Sequence, residues 1–172
     1  MKAGIVLLPE DRRHEGAVLT FSVRKNITLP MLDAFRMSRR VPVPVASRER
    51  EASRSLIERL QIKVSDVEQP VSTLSGGNQQ KVVLAKWLDS GADLFIFDEP
   101  THGIDVGAKE EIYRLMIGLA ESGKGVVFIS SEFPEIVGVC NRVIVMREGR
   151  LVGEVVGDAI SEGTLIEHCY GS

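Results

Sequence analysis

Two carboxylates stand side by side at positions 98 and 99, directly after the apolar run Leu94, Phe95, Ile96, Phe97. Such a run reads as a buried strand, and ligands bind at the carboxyl ends of strands in α/β sheets. There Asp98 is placed to hold the water shell of Mg2+, and Glu99 to polarise an attacking water. Adjacent acids also occur at ordinary strand ends. A second constellation, residues 74–80, reads Leu-Ser-Gly-Gly-Asn-Gln-Gln and opens a helical pattern. It puts Ser75 at the N-cap with Gly76 and Gly77 in the first turn, where free N–H groups and the helix dipole suit an anion. Glycines let a phosphate approach the backbone without meeting a side chain. Plain helix capping also explains a Ser-Gly-Gly start.

Together the two constellations describe half of a nucleotide-hydrolysing site. The other half is a phosphate-cradling loop, Gly-x-x-x-x-Gly-Lys-Ser/Thr, between a strand and a helix. The 172 residues contain no such loop. The stretch from Gly118 to Gly123-Lys124 fits its first seven positions, but Gly125 stands where the hydroxyl belongs. That stretch also follows a helix and precedes a strand, the reverse order, and reads as a helix-stop turn. Residues 103–109 fail on spacing.

The elements that must position these groups follow from periodicity. Residues 5–8 form a short apolar strand, followed by a polar turn over 10–16. Ser22 is an N-cap for a helix over 23–27. Residues 38–45, with Pro42 and Pro44, are extended. Leu56, Ile57 and Leu60 give an amphipathic helix over 49–60. Residues 22–72 therefore read as a small, polar helical unit. Beyond them the pattern predicts helices over about 76–88, 107–121, 133–139 and 161–169, and strands at 94–97, 125–130, 142–147 and 150–156. Strands alternating with helices imply a parallel sheet covered on both faces.

Composition allows one domain, with or without a small subdomain, and 44% hydrophobic content suffices for a core. No apolar window is long enough to span a bilayer, and the opening segment is too short for a signal peptide. Cys140 and Cys169 lack metal spacing and read as free thiols of a reducing compartment. Residues 1–60 carry 12 Lys+Arg against 7 Asp+Glu, and residues 61–172 carry 9 against 17. The positives are scattered among acids without interleaved aromatics, so they read as a solvated surface and not a nucleic-acid patch.

The combination resembles a family. Residues 74–80 resemble the signature motif of ATP-binding cassette (ABC) ATPases, and residues 94–99 their Walker B strand and catalytic glutamate. Gly103-Ile104-Asp105 resembles the D-loop. Residues 74–81 and 98–109 resemble the second cassette of tandem ATPases of monosaccharide importers of the ribose, galactose and xylose type, as does Pro9-Glu10-Asp11-Arg12-Arg13 after its strand. Glu10 stands where most cassettes carry glutamine, and Ser131 where they carry a switch histidine. Ser131 cannot move a proton as imidazole does. His102 stands where this subgroup commonly shows arginine and reads as neutral variation. The DNA-repair and chromosome-condensation ATPases share the signature but precede it with long coiled coils, and no sustained heptads precede residue 74.

The resemblance implies an α/β fold of the P-loop NTPase type: a partial parallel sheet with flanking helices and a small helical subdomain. It divides the chain into 1–21 (core strand and Q-loop), 22–73 (helical subdomain) and 74–172 (signature helix to the carboxyl-terminal core). It implies ATP and Mg2+ as cofactors. Ser75, Gly76, Gly77 and Gln79 would meet the γ-phosphate on an opposing cassette. Asp98, Glu99, Glu10, Asp105 and Ser131 would serve the nucleotide sites, with Asp98 toward the metal. The implied partners are that cassette, a transmembrane permease and, indirectly, a periplasmic sugar-binding protein, at the cytoplasmic face of a bacterial inner membrane. The expectation is a chain that begins midway through a cassette, whether an expressed fragment, a disrupted reading frame or a start codon placed too late. Alone it would bind triphosphate poorly, leaving open a non-enzymatic interaction module.

Overall fold

Strand β1 (Ile5–Leu8) runs parallel to β2 (Leu94–Asp98), with Ile5 opposite Leu94 and Leu8 opposite Phe97. The computed structural model describes residues 3–38 and 40–171, so Met1, Lys2, Arg39 of the extended stretch, and Ser172 lie outside it. Strand β3 (Gly125–Ile129) completes a three-stranded sheet in the order β1-β2-β3. It enters beside β2 where the Gly125 N–H donates to the Asp93 carbonyl at 2.8 Å.

The chain divides into two compact units, one running to Val127 and one starting at Phe128. In the first, α1 (Val23–Thr28) packs on both α2 (Ala46–Arg59) and α3 (Gly76–Leu88), and α3 packs on β1 and on α4 (Val106–Glu121). Ser22 caps α1 as its sequence requires, accepting from the Lys25 N–H at 3.2 Å. Helix α3 ends before Gly91, and α4 ends before Gly123, both at positive φ. The sequence Gly118 to Lys124 is thus a helix end and turn, with Lys124 Nζ 3.0 Å from Asp93 Oδ1.

One face of the sheet departs from expectation. Val6, Leu8, Phe95 and Phe97 are buried, while Ile5, Leu7 and Val127 are nearly half exposed, at 48%, 49% and 43%. The apolar runs suggest a sheet covered on both faces, but these three side chains remain about half open to solvent. The second unit corrects the parallel expectation as well. There β4 (Arg142–Arg147) and β5 (Arg150–Val156) form an antiparallel two-stranded sheet of their own. The cause is local: only Glu148 and Gly149 join them, both at positive φ (50° and 75°), which closes a hairpin. A parallel pair needs a crossover of a dozen residues or more. Val143, Val145, Val155 and Leu165 form this unit's core, with α5 (Phe133–Val139) and α6 (Glu162–Tyr170) packed on it. The free thiols of Cys140 and Cys169 border that core, and burial pushes the Cys140 thiol's pKa up.

An ion cluster, buried at Arg24 and Glu49 and partly exposed at Glu68, fastens the helical segment. Arg24 donates from Nε and Nη2 to Glu68 at 2.8 and 3.0 Å, and from Nη1 to Glu49 at 2.8 Å. Thr28 Oγ1 donates to the other Glu49 oxygen at 2.7 Å. Hydrogen bonds from Arg24, then from Arg50, hold the Glu68 carboxyl at about 2, against desolvation. A carboxyl depressed on folding stabilises the fold fully above its unfolded value, near 4.5, and loses that contribution as pH falls toward 2. Urea midpoints measured across that window should decline with falling pH. Glu68→Gln should flatten the decline.

Candidate functional site

Parallel pairing brings the loops that leave β1 and β2 to the same end of the sheet. The first carries Glu10 to Arg13; the second begins at Asp98 and Glu99. Pro9 and Pro100 are buried and anchor both exits, and Thr101 is 1% exposed. Asp98 is half-buried at the end of β2. Glu99 leaves the strand at φ 43°, a left-handed conformation unusual for a residue with a side chain, and the His102 N–H closes the turn onto its carbonyl at 3.1 Å. Asp105 caps α4, its carboxylate accepting from the Ala108 N–H at 3.0 Å.

The tip of α3 reaches this end too. Ser75 is exposed and occupies the N-cap, but its hydroxyl does not cap the helix; it accepts from Asn78 Nδ2 at 2.9 Å. Asn78 in turn accepts from the Lys63 N–H at 2.8 Å. The glycines also serve the packing of the chain itself. A Cβ on Gly77 would stand 2.6 Å from the Ala108 Cβ, so this buried glycine lets α3 and α4 touch. A Cβ on Gly76 would meet Arg12 Nη2 at 2.8 Å and the Gly103 carbonyl at 3.4 Å.

Gln79 is engaged within the chain. It is 5% exposed, and its amide donates to the Val71 and Leu74 carbonyls at 3.3 and 3.1 Å. It holds the segment before α3 and does not face outward with Ser75. Gln80 and Lys81 are buried as well, and Lys81 donates to the Gln61 carbonyl at 3.1 Å. Ser131 is exposed just after β3 in the second unit; its neighbour Ser130 accepts from the Glu132 N–H at 3.0 Å.

Two contacts escaped the sequence reading. His102 Nδ1 lies 3.4 Å from Glu10 Oε1, between two exposed side chains. Arg12, quoted only within its motif, donates from Nη1 to the His102 carbonyl at 2.9 Å and from Nη2 to the Gly103 carbonyl at 3.3 Å. No local signal separates Arg12 from Arg13, because the distinction lies in partners about 90 residues away.

As to a metal, carboxylate oxygens suit a hard cation, and Asp98 at the strand end could hold one. Among the described residues no cluster of three or more His, Cys, Asp or Glu could cage an ion. No helix among the described residues is long and apolar enough to cross a membrane.

Comparison with known proteins bears on this geometry. Residues 2–102 match the ABC transporter family. The chain is 48% identical to the ribose import ATP-binding protein RbsA of Hahella chejuensis over 171 residues, which is 99% of this chain and 34% of that protein. It is 48% identical to the arabinose import ATP-binding protein AraG 2 of Burkholderia ambifaria, over 97% of this chain and 32% of that one. The chain thus spans about a third of the length of the curated relatives it matches. Among solved structures, the dimeric post-hydrolysis state of the ATP-binding cassette MJ0796 bound to ADP and Pi matches with a TM-score of 0.72 and 20% identity, over 88% of this chain and 62% of that one. A putative metal-chelate type ABC transporter in an inward-facing conformation matches at 0.76 and 17%, over 96% and 63%. At such identities these two show a shared fold.

The glycine assignments can be checked by equilibrium unfolding. Gly77→Ala should destabilise by about 1–3 kcal/mol through overpacking against Ala108. Gly118→Ala, whose added Cβ meets open space on α4, should stabilise by about 0.5–1 kcal/mol.

Proposed function

The chain belongs to the ABC transporter family, and we propose that it forms part of an ATP-hydrolysing subunit that energises carbohydrate import. One observation carries this reading. The loops after β1 and β2, bearing Glu10 and Asp98-Glu99, meet the tip of α3, bearing Ser75 and Gly76, around a single side chain, Arg12. The relatives, ribose and arabinose import ATP-binding proteins, support the carbohydrate assignment.

In this reading ATP binds between two cassettes, and each cassette completes the other's site. Ser75 and Gly76 offer a hydroxyl and backbone N–H groups, at the positive end of the α3 dipole, to a phosphate bound on the opposing cassette. Gly77 contributes by letting α4 approach, and Gln79 by holding the segment before the tip. Asp98 orients the hydrated Mg2+, which supplies charge neutralisation on the phosphates when bound. Glu99 accepts a proton from the attacking water, at the left-handed turn that ends the strand. Glu10 and Asp105 flank the same region, and Ser131 stands where a switch residue would.

Residues 1–21 serve as core strand and Q-loop, 22–73 as the helical segment that meets a transmembrane permease, and 74–172 as the remaining core. The subunit is peripheral, at the cytoplasmic face of a bacterial inner membrane. A sugar-binding protein acts on it only through the permease.

A second reading has its own support: the 172 residues carry no phosphate loop, so this chain alone acts as an interaction module. Titration with ATP separates the two. The isolated chain should show no saturation in the micromolar range. Tight binding there would refute the argument that the phosphate loop is the principal grip. Joined behind a segment that carries Gly-x-x-x-x-Gly-Lys-Ser/Thr, it should hydrolyse ATP with Mg2+. Glu99→Gln should then cut turnover on the order of 100-fold or more; undiminished hydrolysis would defeat the assignment of Glu99.

A further inference from the structure

We propose that Arg12 is a positioning residue that ties the amide tip of α3 to the loop following Glu99. Its effect is to hold the phosphate-facing helix end and the carboxylate pair at one fixed spacing. The proposal rests on the nucleotide reading only for what that spacing serves; the tie itself is a property of the chain without ligand.

The guanidinium sits where three segments converge. It arises from the turn after β1, whose backbone is fixed by Asp11: the carboxylate accepts from the Arg13 and His14 N–H groups at 3.0 Å each, and the Asp11 carbonyl accepts from the Glu15 N–H at 2.9 Å. From that base the side chain crosses to two successive carbonyls, His102 and Gly103, at 2.9 and 3.3 Å. Gly103, at φ 67°, adopts a backbone conformation open chiefly to glycine. The third segment is α3, where the volume a Gly76 side chain would need is already filled by Nη2, 2.8 Å from the ideal Cβ position, and by Cζ at 3.5 Å. A side chain at position 76 would therefore have to displace the end of Arg12.

The chemistry of the tie explains why arginine performs it. A planar fork can donate to two carbonyls at once from a single rigid group, whereas a lysine ammonium is a point donor. Arg12 Nε is buried without a hydrogen-bond partner, so the side chain holds this pose although burial leaves one of its donors unmet. The Glu10 to His102 approach, 3.4 Å, joins the same two loops a second time at the surface.

The test is a double-mutant cycle on the 172-residue chain by thermal unfolding, using Arg12→Ala, Gly76→Ala and both together, with carbonyl 13C shifts at His102 and Gly103. In the wild-type background Gly76→Ala must displace the guanidinium and should lower the melting midpoint by about 2–4 °C. In the Arg12→Ala background the same change should cost nothing or raise the midpoint, since alanine exceeds glycine in helix propensity. Arg12→Ala should move both carbonyl resonances upfield, and Arg12→Lys should restore no more than one. Should Arg12→Ala not fold, the Arg12→Lys shifts and the Gly76→Ala midpoint in that background decide. Additive midpoints, or carbonyl resonances unmoved by either variant, would overturn the tie. Every readout is taken without nucleotide, so that result would leave the ATP reading standing.

Discussion

Parallel pairing of β1 with β2 is the constraint on which the site depends. Leu8 faces Phe97 across the ladder, so the residues that follow each strand emerge together, and the two loops share one edge without any further device. The register is fixed by burial. Val6, Leu8, Phe95 and Phe97 lie on the covered face, and a slip of one residue would exchange them for Ile5, Leu7, Leu94 and Ile96. Burying such side chains is worth about 1.5–3 kcal/mol each, far more than any single polar contact at the loops. The chemistry is therefore placed by the core, and its fine spacing by polar contacts.

Helix α3 joins these two levels. Its middle is core: Val82, Val83, Leu84 and Ala85 are inaccessible to solvent. Its start is a crowded junction in which Gly77 touches Ala108 and Gly76 borders Arg12 and Gly103. A signature of two adjacent glycines, easily read as room for a phosphate, is in large part room for the protein itself. Ser75 remains exposed, and its hydroxyl is directed to Asn78 and not to the helix amides. Close packing behind the tip and openness in front of it are the combination expected of a helix end that presents backbone groups to a ligand held elsewhere.

Element boundaries were legible because periodicity and caps agree locally: Ser22 before α1, Gly91 after α3, and the proline-bearing stretch around 42–44 outside any helix. The family and its fold were legible from residues 74–80 and 98–105. What the sequence hid was tertiary. Glu49 looks like a solvent-facing charge on an amphipathic helix, yet it is 5% exposed, because its partner Arg24 lies 25 residues earlier on another helix. Gln79 sits in a motif that suggests ligand contact, and backbone carbonyls at 71 and 74 claim it. The half-exposed side chains of Ile5, Leu7 and Val127 were illegible for a related reason: an apolar strand reports that it can be buried, not what lies within reach to bury it. The β4–β5 hairpin could have been read from Glu148-Gly149 at a two-residue spacing.

The central claim is that the α3 tip is a phosphate-facing surface completed by another cassette. Backbone amide NMR of this chain, mixed with a cassette that carries its own phosphate loop and a slowly hydrolysed ATP analogue with Mg2+, tests it directly. The account predicts nucleotide-dependent shifts at Ser75 and Gly76 that are absent when either the analogue or the partner is omitted. Shifts that arise without the partner, or a helix tip that stays silent with both present, would contradict it.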